Sequence, residues 1–136
     1  MPPARVYIVD DDEDDLDLLR DLLTKAAVVE RVAFFKDVRS LLAQLSKLSA
    51  DTFPSLILSD LNMPGLSGLE LLNIIRQSGF LPLIDVIIIS TSRLPSDVDR
   101  CIAAGAKTFL EKPIDLSGYQ KIADCLKLHL ENKAFI

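Results

Sequence analysis

The side chains best equipped for chemistry in this sequence are mostly acids, and they are not spread evenly. Asp10, Asp11 and Asp12 follow directly on the apolar run Val6–Val9; Asp60 follows Leu56–Ser59, with Asn62 two residues on. Ser90 and Thr91 follow Val86–Ile89, and Glu111, Lys112 and Pro113 follow Thr108–Leu110. Carboxylates gathered in one place repel each other and hold protons more tightly unless a cation relieves the charge. An all-oxygen ligand set with open positions suits Mg²⁺, which keeps waters and readily adds a phosphate oxygen. A lysine and a hydroxyl on the opposite side form a clamp for phosphoryl oxygens. A carboxylate between the two groups can then act as the nucleophile, and in strand order that carboxylate is Asp60.

The elements that must position these groups alternate in period. Arg5–Val9, Arg31–Phe35, Leu56–Ser59, Val86–Ile89 and Thr108–Leu110 read as strands, the third apolar almost throughout, as a strand covered on both faces would be. Between and after them apolar residues fall at helical spacing: Leu16, Leu19, Leu22, Leu23 and Ala26; Val38, Leu41, Leu42, Leu45 and Leu48; Leu69, Leu71, Leu72 and Ile75 before Gly79. Val98, Cys101, Ile102 and Ala104 follow, stopped by Gly105, and a closing helix runs from Leu116 to His129. Strand and helix alternate five times, which predicts an α/β, doubly wound parallel sheet with helices on both faces. In such sheets the site forms beyond the carboxyl ends of the strands, where the acids, hydroxyl and lysine all lie. Ser46 to Pro54 is the expected loop insertion.

Composition narrows the function. The chain has 136 residues, 49% hydrophobic and 26% charged, as a single globular domain would. A net charge of −5 argues against a nucleic-acid partner, because phosphate-backbone affinity needs clustered Lys and Arg. No signal peptide and no membrane span are evident, and the expected location is the cytoplasm. Cys101 and Cys125 fit neither a disulfide framework nor a zinc site and are expected to pack between helices. There is no GxxxxGK[ST] and no GxGxxG, so nucleotide binding has no support. Gly65 and Gly68 are read as serving the turn after the third strand, and His129 as exposed and uninvolved. Asp10, Asp12 and Asp14 fit the first ligand positions of a Ca²⁺ loop, but Asp15 stands where that loop needs glycine and Asp21 where it needs Glu. Asp12 to Asp17 are therefore read as surface and helix start, where the helix dipole favours acids.

The segments LILSDLNMPGLSGLELL, IIISTS and AAGAKTFLEKP together resemble the receiver domain of two-component response regulators, from Val6 to the last helix. The acceptor-to-hydroxyl and hydroxyl-to-lysine spacings, 30 and 22 residues, agree with that family. The resemblance implies a flavodoxin-like sheet of five strands in the order 2-1-3-4-5. It implies Asp60 as phosphoacceptor, Asp11 as direct Mg²⁺ ligand with Asp10 acting more through water, and Asn62 offering its main-chain carbonyl. Ser90 would be the switch hydroxyl, Lys112 the phosphate-pairing lysine, aimed by a cis bond to Pro113, and Phe109 the aromatic switch. Asn62 and Ser92 would tune dephosphorylation by placing water.

The expected function is a phospho-accepting switch. It would be charged by a sensor histidine kinase or histidine phosphotransfer protein and read by an unidentified downstream protein. The reporting surface would run over the fourth helix, fifth strand and fifth helix, carrying Arg93, Asp97, Arg100 and Lys121. A phosphorelay shuttle or sink is the alternative, followed by a Mg²⁺-dependent aspartyl phosphatase, for which 136 residues leave no room for a substrate cap. The expected chemistry is self-catalysed phosphotransfer and autodephosphorylation rather than turnover of a substrate. No output domain is expected after the fifth helix.

Overall fold

A computed structural model of the chain describes residues 3–81 and 83–131. All four residues of β1 (Val6–Val9) are buried. Because successive side chains of a strand point to opposite faces, Val6 and Ile8 enter one core with Leu19, Leu23 and Leu126. Tyr7 and Val9 enter a second core with Leu41, Leu71 and Ile75. The central strand β3 (Leu56–Asp60) repeats this pattern and is buried from end to end. A large aliphatic side chain withdrawn from water contributes roughly 1.5–3 kcal/mol, so these two layers of Leu, Ile and Val are the main source of stability.

The other elements are α1 (Glu13–Lys25), β2 (Val32–Phe35), α2 (Val38–Leu45), α3 (Gly68–Gln77), β4 (Asp85–Ser90), α4 (Pro95–Ala103), β5 (Thr108–Glu111) and α5 (Leu116–Leu130). The sheet order is β2-β1-β3-β4-β5, with every neighbouring pair parallel, as the sequence predicts. Helix starts are written in side chains that accept from otherwise unpaired backbone N–H groups. Asp12 does so for α1, Asp37 for α2 and Asp115 for α5, while Ser67 and Glu70 cap α3 reciprocally. Arg31, expected in a strand, lies instead in a 3₁₀ turn, and the expected insertion carries another at Ala50–Thr52. Among the described residues no helix is long and apolar enough to cross a membrane.

Strand order reverses between β1 and β3, whose register pairs Val9 with Ser59. The next residue on each strand is an aspartate, Asp10 on one and Asp60 on the other. Gly68, at the start of α3, lets that helix close on the end of β3. A Cβ there would sit 2.4 Å from the Asp60 carbonyl oxygen and 3.1 Å from Ser59 Oγ. Gly65 turns the preceding loop at φ +78°. Both glycines thus serve the turn after β3, as expected.

Candidate functional site

Asp10 leaves β1 with its N–H still donating to the Phe35 carbonyl, and its Oδ1 accepts from the Asp12 N–H at 2.9 Å. Asp60 is the last residue of β3, and Ser59 Oγ donates to its carbonyl at 2.9 Å. Ser90 ends β4 fully buried; its Oγ accepts from the Ser92 N–H at 3.1 Å. The Lys112 N–H donates to the Ser90 carbonyl at 2.7 Å, which keeps the lysine in the sheet ladder while its side chain reaches back across the strand ends. The ladder therefore delivers Asp10, Asp60, Ser90 and Lys112 to one edge, where Lys112 meets Asp10 and Asp60.

Asp10, Asp11 and Asp60 each place a carboxylate oxygen within 4.8 Å of the others, with Asp10 and Asp60 buried and Asp11 exposed. Three hard oxygen donors, one open to solvent, fit an Mg²⁺ ion that keeps part of its water shell. Asn62 is exposed in the loop beyond Asp60.

Lys112 Nζ lies 2.8 Å from Asp10, 2.8 Å from Asp15 and 3.4 Å from Asp60. Burial, reinforced by the neighbouring Asp10 charge, pushes the Asp60 carboxyl up to about 6 despite the lysine. Burial opposes the charge on Lys112, but hydrogen bonds to Asp10 and Asp15 outweigh it and hold the lysine above its ordinary range. One ammonium is thus shared among three carboxylates, and the site retains net negative charge for a cation to meet.

The structure departs from sequence expectation at three further places. Asp15 belongs to the site, although the acid run beyond Asp11 reads as surface; Asp12, Asp14 and Asp17 are indeed exposed. The available signal is phase: Asp15 stands one helical turn before the buried Leu19 and two before the buried Leu22. The Lys112–Pro113 bond, expected cis, is trans, since the described residues contain no cis peptide bond. The trans form is the lower-energy default, and the lysine's length suffices to reach the carboxylates from it. His129 is half-buried rather than exposed, and its Nε2 is 2.7 Å from Ser55 Oγ.

Phe109 is half-buried on the edge strand β5, opposite Ile88, and packs against the core that holds Cys101 and Ala104. Ser92 Oγ donates to Asp97 at 3.3 Å and accepts from the Leu94 N–H at 3.4 Å, so it tethers the entry to α4. On the α4–β5–α5 face Arg93 pairs with Glu111 and Arg100 with Asp97.

A family model described as response regulator receiver domain matches residues 6–124. The chain is 31% identical over 138 residues to the two-component response regulator ARR6 of Arabidopsis thaliana, covering 98% of this chain and 74% of that one. It is 40% identical over 78 residues to ARR17 of the same plant, covering 57% of this chain and 48% of that protein, so the match spans about half that relative's length. Among solved structures, the phosphorylated cyanobacterial phytochrome response regulator RcpA superposes with a TM-score of 0.81 at 26% identity, covering 97% of both chains. The Mn²⁺-bound form of response regulator Rcp1 superposes equally well, TM-score 0.81 at 25% identity, over 98% of this chain and 99% of that one. With its five-stranded order, its acidic strand ends and a match over nearly its whole length, the chain belongs to the response-regulator receiver domains of two-component signalling.

Proposed function

We propose that Asp60 accepts a phosphoryl group in the presence of Mg²⁺, and that the chain works as a switch charged by a sensor histidine kinase or histidine phosphotransfer protein. The observation that carries this reading is the placement of Asp60. Its carboxylate is buried at the end of β3, grouped with Asp10 and Asp11 and in contact with Lys112. Its relatives support the same reading, one having been crystallised phosphorylated and another with Mn²⁺.

An acid pushed up to about 6 is mostly ionised at neutral pH, so an Asp60 oxygen holds the lone pair that attacks phosphorus. The new bond is an acyl phosphate; the bond from phosphorus to the donor nitrogen breaks, and the donor imidazole keeps that electron pair. Asp10, Asp11, Asp60 and the Asn62 carbonyl would hold Mg²⁺, which when bound supplies charge neutralisation for the phosphoryl oxygens. Lys112 pairs with one of those oxygens, leaving its carboxylate contacts to do so. Ser90 turns its hydroxyl toward another, which takes it from the Ser92 N–H. Phe109 then fills the space behind β4, and the α4–β5–α5 face around Arg93, Asp97, Arg100 and Lys121 reports the change to a downstream protein. Asn62 orients the water that ends the signal, while Ser92 is held aside by Asp97. We place the protein in the cytoplasm, where its phosphodonors present their histidines.

The test is incubation with acetyl phosphate and Mg²⁺ followed by intact mass. The expected result is an alkali-labile gain of one phosphoryl group. A wild-type chain that takes up none, with Mg²⁺ and donor in excess, overturns the reading.

A further inference from the structure

Lys112 is held by more carboxylate than phosphate pairing needs. An ammonium carries three N–H donors, and three carboxylates surround this one. The two near contacts, both 2.8 Å, are to Asp10 and Asp15; the acceptor Asp60 has the long one, 3.4 Å. Asp15 comes from the first turn of α1, and its carboxylate adds to burial in holding the phenol of Tyr119, a buried residue of α5, above its ordinary range. Both charged groups are largely withdrawn from water, with side-chain exposures of 10% for Lys112 and 21% for Asp15. Asp14, its neighbour in sequence, is exposed and touches neither. Lys112 already donates to Asp60 at 3.4 Å, so without Asp15 the ammonium is left to Asp10 and Asp60 alone.

We propose that Asp15 is a positioning residue for Lys112, drawing the ammonium off Asp60 so that the acceptor stays open to a cation and to phosphorus. The inference rests on the phosphoacceptor reading for its consequence, but not for its geometry. A salt bridge that only ties α1 to the β5–α5 connection would make the same contacts. It differs in leaving metal affinity and uptake rate unchanged once the protein is folded.

Both can be read on the full chain. In ¹⁵N-lysine-labelled protein, Asp15→Asn should shift the Lys112 ammonium resonance and speed its hydrogen exchange. Mg²⁺ affinity and the initial rate of phosphoryl uptake from acetyl phosphate should each fall about tenfold, the scale on which outer partners tune a metal site. Asp15→Glu, which keeps the charge, should restore most of the loss. Asp14→Asn, an equal change of charge on the same turn, should change them by less than about twofold. If Asp15→Asn folds and leaves the lysine resonance, Mg²⁺ affinity and uptake as in wild type, the inference is wrong. Equal effects of Asp14→Asn and Asp15→Asn also overturn it, by reducing Asp15 to bulk charge. A wild-type chain that never takes up phosphate instead overturns the phosphoacceptor reading, and the resonance and Mg²⁺ arms still judge Asp15.

Discussion

The two ends of one sheet handle polar groups in opposite ways. At the carboxyl ends of β1 and β3, one ammonium serves three carboxylates and Asp60 is driven away from its ordinary acidity. At the amino ends the groups pair off: Ser55 donates its N–H and its hydroxyl to the Arg5 carbonyl and meets His129, and Lys107 reaches Asp85 at 3.4 Å. The first end is left short of positive charge, and the second is closed by partners at the starts of four strands and on the last helix. Because all five strands are parallel, their carboxyl ends and the starts of the helices that follow them gather at the first end, so backbone polarity and side chains together set the two ends apart. Stability is built into one edge and chemistry into the other.

The sharpest break of this comparison is Asp60→Asn. An amide forms no acyl phosphate, so labelling by acetyl phosphate should disappear; full labelling would put the nucleophile elsewhere. The same change should make the metal-free protein more stable. A buried carboxyl moved from 3.8 to about 6 costs on the order of 3 kcal/mol when it stays ionised at pH 7. Because the folded state holds this proton more tightly than the unfolded chain, wild-type stability is lost as pH rises through about 6. Denaturant unfolding in a chelator should therefore show the variant's advantage growing as pH rises from 3.8 and levelling off above about 6; a gap that stays flat across that window would refute this origin.

Asp11→Asn tests the metal half of the same edge. Loss of one ligand charge should weaken Mg²⁺ by about tenfold in a titration, with the fold intact by circular dichroism. An unchanged titration would remove Asp11 from the ligand set.

The smallest effect belongs to the other edge. Ser55→Ala should cost about 1 kcal/mol, the value of one hydrogen bond, with phosphoryl uptake unaltered. Burial, helped by the Arg5 charge, depresses His129 below 6.5, so its contribution is present above that value and lost as pH falls through the depressed one. A Ser55→Ala protein that unfolds normally but labels poorly would mean that the two ends are not separable.

How much of this the sequence disclosed depends on the range of each interaction. Strand period, helix phase and the rule that sites follow strand ends are local signals, and they were enough to place Asp10, Asp60, Ser90 and Lys112 together. The contact of Asp15 with Lys112 joins residues on opposite sides of the chain's length, and its only local trace is a helical phase shared with Leu19 and Leu22. His129 near the chain's end has no local pattern at all, because Ser55 reaches it only after β3 and α5 are docked. The isomer at Pro113 is likewise a decision of tertiary context, and the family pattern pointed the other way.

The close seat of Gly68 has a mechanical consequence. With α3 pressed so near that a Cβ would fall 2.4 Å from the Asp60 carbonyl oxygen, and with Leu61 bonded to Ile89, the backbone behind the acceptor has no slack. The opposite wall is compliant: the Ser90 hydroxyl is restrained by one bond from Ser92. The strand ends thus work as a vise with one fixed jaw. On the phosphoacceptor reading, a group added to the Asp60 carboxylate would find the α3 side fixed and would push instead toward Ser90 and the helix that follows β4.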